Sequence, residues 1–80
     1  MRATIIDLNY ARDFYIFECE DGTIGYFELL EGPDLEINES LLGSFDHFGK
    51  TEVTAEDSRE KLHISIEDFC SFEVAKSMIK

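Results

Sequence analysis

Two runs of aromatic and β-branched residues flank a single Asp-Gly pair. Phe14-Tyr15-Ile16-Phe17-Glu18-Cys19 precedes it, Ile24-Gly25-Tyr26-Phe27-Glu28-Leu29 follows it, and Asp21-Gly22 lies between. Such a pattern predicts a β-hairpin. Asp-Gly suits a two-residue type I′ turn, whose central residues both need positive φ. That turn sets Glu20 opposite Thr23 and fixes every pairing beyond it. On one side of the hairpin Cys19 then faces Ile24, Phe17 faces Tyr26 and Tyr15 faces Glu28. On the other, Glu18 faces Gly25, Ile16 faces Phe27 and Phe14 faces Leu29. The side holding Phe14, Ile16, Phe27 and Leu29 is the expected core face. The side holding Tyr15, Phe17 and Tyr26 has apolar bodies and polar tips, so it needs a cover or is itself a contact surface.

The flanking sequence extends the β pattern. Residues 3–8 are β-branched and apolar and predict a first strand, followed by a turn over 9–13. An acidic connection runs from Glu31 to Ser40, with Gly32-Pro33 at its start. Residues 41–46 and 50–55 are strand candidates split by a turn near His47 to Gly49, and 56–60 form a polar loop. Residues 61–66 alternate, which turns Leu62, Ile64 and Ile66 inward and His63 and Ser65 outward. From Ser71 the chain reads as a short helix, with Ser71 as N-cap and Glu73 in the first turn. Phe72, Ala75, Met78 and Ile79 give that helix an apolar side, the candidate cover for Tyr15, Phe17 and Tyr26. The expected fold is mainly β, a small five- to six-stranded antiparallel barrel with one terminal helix. A curved α+β sheet covered by that helix is the alternative. Closure is favoured because it leaves no exposed edges. With 80 residues the chain makes one domain, and an active-site cavity would compete with its small core.

Charge narrows the possible partners. The formal net charge is −11, and no Lys or Arg occurs between Arg12 and Lys50. That interval carries Asp13, Glu18, Glu20, Asp21, Glu28, Glu31, Asp34, Glu36, Glu39 and Asp46. Nucleic-acid binding depends on cations that neutralise phosphates, and carboxylates repel the same backbone. Direct nucleic-acid binding and anionic membrane surfaces are therefore disfavoured. A solvating acidic face is the plainest use of the charge, and attraction to a basic protein surface is the functional one. The apolar runs are far below the roughly 18 residues that a spanning helix needs. Met1 to Asp7 has no stretch of signal-peptide type. A soluble, cytoplasmic protein is the expectation, with Cys19 and Cys70 reduced.

Motifs for chemistry are absent or fail on spacing. Gly49-Lys50-Thr51 suggests a phosphate loop, but the required first glycine falls on Ser44, with Gly43 one place too early. Acidic, strand-like residues follow it, where the motif needs a helix N-terminus. Asp34-Leu35-Glu36-Ile37-Asn38 alternates oxygen ligands, yet Glu39 stands where an EF-hand needs Gly and Phe45 where it needs the closing Glu. His47 and His63 have no partner at metal-ligand spacing, and the cysteines form no Cys-x-x-Cys pair. No catalytic residues, metal ligands or cofactor are expected, so the chain reads as non-enzymatic.

The Asp21-Gly22 hairpin, the Gly43-Ser44-Phe45 strand after an irregular connection, and Leu62 to Asp68 leading into a short helix together resemble small OB-type barrels. The resemblance implies a binding surface on the second and third strands, the position of a stacking platform. The expected role is an acidic protein-interaction or regulatory module that meets a basic surface. Its expected contact residues are Tyr15, Glu18, Glu20, Asp21, Tyr26, Glu31, Asp34, Glu36 and Glu39, with the two tyrosines as anchors if they are uncovered. A nucleic-acid-mimicking inhibitor and a small metal-dependent or enzymatic domain are the alternatives.

Overall fold

In a computed structural model describing Met1–Lys80, the chain closes into a six-stranded antiparallel barrel. The strands are β1 (Arg2–Asn9), β2 (Phe14–Cys19), β3 (Ile24–Glu31), β4 (Ser40–Leu42), β5 (Gly49–Ala55) and β6 (Lys61–Phe69), followed by one helix, α1 (Phe72–Met78). Their order around the barrel is β1-β2-β3-β6-β5-β4, with β4 pairing back onto β1. Two three-stranded meanders are thus joined through the acidic connection.

The hairpin differs from the sequence expectation by one residue. Tyr15 pairs with Phe27, Ile16 with Tyr26 and Phe17 with Gly25. The loop is three residues long: Cys19 accepts from the Gly22 N–H (2.9 Å) and donates to the Thr23 carbonyl (2.8 Å). Gly22 alone in the loop takes positive φ, +90°. The Asp21 carboxylate instead accepts from the Thr23 N–H (3.0 Å), a side-chain turn that leaves the left-handed conformation to glycine. This is the three-residue Gly-bulge solution to the same dipeptide.

A slip of one residue re-sorts the faces. Tyr15, Phe17, Phe27 and Leu29 point into the barrel with Ile5, Val53, Leu62, Ile64 and Ile66. Ile16 and Tyr26 point outward and are buried beneath Ala75 and Ile79 of the C-terminal segment, with Ile6, Phe14, Ile24 and Phe72 around them. The terminal helix is a lid, as expected. It covers Phe14, Ile16 and Tyr26 rather than Tyr15 and Phe17, and Met78 is left exposed. On the barrel's inner side, Gly25 leaves room for the Phe17 ring: a Cβ on it would lie 2.6 Å from the Asp68 carbonyl oxygen and 2.9 Å from that ring.

Both barrel ends are plugged. At the start of β2, Leu35 drops from the acidic connection into the core. Its N–H donates to the Tyr15 hydroxyl (3.2 Å), and its carbonyl accepts from Tyr10 (2.7 Å). At the hairpin end Phe45 packs 5.1 Å from the Phe17 ring. The strand expected over 41–46 therefore stops at Leu42, because Phe45 leaves the sheet to fill the core. Lys50 and Thr51 lie in β5 and pair with β6, so no phosphate loop forms. Leu62, Ile64 and Ile66 are buried and His63 is exposed, as their alternation predicts. Ser71 caps α1 through its Oγ, which accepts from the Val74 N–H (3.3 Å).

Candidate functional site

The outer surface of β1 and β2 has two zones. Where α1 crosses, it is apolar and covered. Beyond the helix, Glu18 pairs across to Thr4 on β1, and Thr4 pairs to Ser40 on β4. All three side chains leave the barrel on its outer side, because their neighbours Ala3, Phe17 and Leu41 fill the inside. A groove of about 450 Å³ runs here, lined by Arg2, Thr4, Ile6, Glu18, Cys19, Glu20, Gly22 and Asn38.

Its flanks come from distant parts of the chain. The register shift between Ile5 and Asp7 accompanies a division of labour: Ile6 packs beneath the lid, while Asp7 meets Lys76 of α1 at 3.2 Å. Asn38, at φ +76°, donates its N–H to the Ile5 carbonyl (2.7 Å) and so holds the acidic connection alongside β1. Glu36 and Glu39 close a turn there, with the Glu39 carboxylate accepting from the Glu36 N–H (3.1 Å). A second hollow of about 240 Å³ lies between Glu36, Ile37, Asn38, Glu39 and Asp57, so Asn38 borders both. Ile37 is exposed among these carboxylates.

The expected contact residues fall in several places. Glu18 and Glu20 flank the groove, and Glu36 and Glu39 adjoin it. Asp21 lies across the hairpin loop, in a separate hollow with Asp46. Glu31 sits at the end of β3, 3.9 Å from His63, which also meets Glu52 at 3.5 Å. Asp34 is exposed in the connection near Tyr15. The tyrosines are not surface anchors. Tyr15 is 0% exposed inside the barrel and Tyr26 6% exposed under the helix, and burial is the main cause that raises both phenol pKa values above 10.0.

Sequence reasoning missed Arg2, Asn38, Asp46 and Asp57. Arg2 brings a cation into the acidic zone, its Nε 2.8 Å from Glu56 Oε1, while its backbone N–H donates to Glu20 (3.2 Å). Nothing local to the hairpin signals it, since strand pairing alone brings β1 alongside. No three His, Cys, Asp or Glu side chains are grouped to hold a metal ion. Both cysteines are free thiols, with Cys19 buried and Cys70 half-buried. No helix is long and apolar enough to cross a membrane.

Fold and surface together define a small closed antiparallel β-barrel with a helix-covered half and an acid-flanked groove. Comparison with protein-family models, curated proteins and solved structures finds no match.

Proposed function

We propose that this barrel is a non-enzymatic interaction module that meets a basic protein surface along the groove between Glu18, Glu20 and Asn38. The observation that carries the reading is the division of one sheet surface. The chain supplies a helix for the half bearing Ile16 and Tyr26, and leaves open the half bearing Glu18 and Glu20. Charge complementarity of this kind steers encounter and selects partners more than it adds raw affinity. Arg2 is the groove's single cationic side chain, and it is already engaged by Glu56. The OB-type resemblance agrees in placing contacts on the second strand. The free thiols suit work in the cytoplasm.

Protein binding is favoured over nucleic-acid mimicry by the scatter of the carboxylates. Asp21, Glu31 and Asp34 lie away from the groove, so the expected acidic residues do not form one row of phosphate-like charges.

The test is capture of a partner on the immobilised chain, followed by a salt series. The captured protein should be basic. It should dissociate as ionic strength rises from about 0.15 to about 1 M, over which the Debye length falls from about 8 to about 3 Å. A Glu18→Lys/Glu20→Lys chain should not retain it. A partner held equally at high salt, or held equally by the double variant, contradicts the reading.

A further inference from the structure

The three-residue hairpin loop is a wall between two concavities. Glu20 and Gly22 line the groove, Asp21 and Thr23 line a smaller hollow at the barrel end, and Cys19 lies at the back of both. The smaller hollow measures about 180 Å³ and is completed by Met1, Phe45, Asp46 and Phe69. Its apolar lining is part of the core: Phe45 is 1% exposed, and Phe69 packs edge-on to Phe17. Phe48, 65% exposed, extends this aromatic surface outward, its ring 5.2 Å from that of Phe69.

Both rim carboxylates are fixed by local hydrogen bonds. Asp21 accepts from the Thr23 N–H, and Asp46 accepts from the Ser44 hydroxyl at 2.8 Å. Those bonds are the main reason both carboxyls sit below their ordinary pKa of 3.8. On Asp46 the neighbouring His47 acts in the same direction. No Lys or Arg lines the hollow, so the two carboxylates leave its rim negative.

Size and chemistry select the occupant. The volume is well below the roughly 300–1,000 Å³ of sites for drug-sized ligands, and close to a cavity of about 150 Å³ that holds one benzene. It is the space for a single side chain. The rim charge rejects anions. The aromatic lining suits a weakly hydrated, planar cation that stacks on rings and forks to carboxylates, which describes guanidinium better than ammonium. We infer that this hollow receives one arginine side chain of the basic partner, its guanidinium between Asp21 and Asp46 and its stem against Phe69. The inference rests on the basic-partner reading. It adds that the partner straddles the hairpin tip, with one part in the groove and one arginine beyond the wall.

The test is an amide-shift titration of the isotopically labelled full chain with acetyl-Gly-Arg-Gly-amide. A peptide with citrulline in place of arginine, of the same shape but uncharged, is the control. Saturating shifts should appear at Thr23, Asp46 and Phe69, with a dissociation constant on the order of 1–10 mM, as expected for a few contacting atoms. The citrulline peptide should give no saturation. Asp46→Asn keeps an acceptor for Ser44, so its unperturbed spectrum elsewhere shows that the barrel still folds, and it should weaken arginine binding at least threefold. Equal binding of the citrulline peptide, or no loss in Asp46→Asn, overturns the inference. Saturating shifts confined to Thr4, Glu18 and Asn38 also overturn it, while leaving the groove reading intact. The groove reading fails separately, through the salt series and the Glu18→Lys/Glu20→Lys chain.

Discussion

Near the 3-10 turn at Tyr10–Arg12, the outer face of the β2–β3 hairpin carries Phe14, Ile16 and Tyr26 and lies beneath α1. Two residues further along β2 the same face carries Glu18, which is open to water, while its β3 partner Ile24 still packs at the edge of the lid. Backbone geometry does not separate these halves, since one continuous ladder runs through both. The lid's length and the side chains separate them. Seven helical residues span about 10 Å at about 1.5 Å each, whereas six strand residues span about 20 Å. The short lid covers the half that carries Phe14, Ile16 and Tyr26. Burial of both surfaces at Tyr15, Ile16 and Phe17 then makes that half a stability element, and the carboxylate half is left for contact.

Substitutions on the two faces of β2 should part company, most visibly in the interior. Phe17 touches Phe27, Phe45 and Phe69 with no exposure. Phe17→Ala should cost about 3–5 kcal/mol, much of the roughly 5–15 kcal/mol that holds a small domain folded. Denaturant melts would show it, and a chain that keeps its midpoint would break the comparison.

High pH should strain both buried regions together. Burial is the main cause that lifts Tyr15 and Tyr26 above 10.0, and Cys19 and Cys70 above 9.0. Folding therefore favours the protonated, neutral forms. The stability these groups supply is fully present below 9.0 and is lost as pH climbs from there toward their folded-state values. The thermal midpoint should fall steadily above pH 9.0, less so in Tyr15→Phe. A flat profile would contradict burial in both places.

Ile16→Ala, beneath the lid, should cost about 2–3 kcal/mol. Its mark is local: amide exchange should rise in α1 while the Leu62, Ile64 and Ile66 amides stay protected. A global rise equal to that of Phe17→Ala would erase the distinction between lid and interior. Smallest is the cap, where Ser71→Ala should cost about 1 kcal/mol, read as a modest loss of helix signal with the barrel intact.

The residues show why some of this was readable in advance. Leu62, Ile64 and Ile66 alternate with polar neighbours, so only one inward face was consistent with them. Ser71 and Glu73 marked the helix start by a purely local rule. The run Phe14-Tyr15-Ile16-Phe17 is apolar on both faces, so nothing in it chose between registers, and the choice fell to the loop. Asp-Gly serves both a two-residue and a three-residue turn. The Asp21–Thr23 hydrogen bond decides for the longer one, and with it which aromatics face the core. Glu18 and Glu20 were legible as acidic contact candidates. Arg2, Asn38 and Asp57 were not, because barrel closure through β4 brings them to the same surface.

A pair of charge-matched variants tests the division most directly. Glu18→Gln/Glu20→Gln and Glu67→Gln/Glu73→Gln remove the same two charges, the first from the open half of the hairpin and the second from β6 and α1. Affinity for the captured basic partner should fall at least tenfold in the first, about 1.4 kcal/mol, and less than twofold in the second. Equal losses in both would mean that net charge alone does the work and that the uncovered half of the hairpin holds no special place.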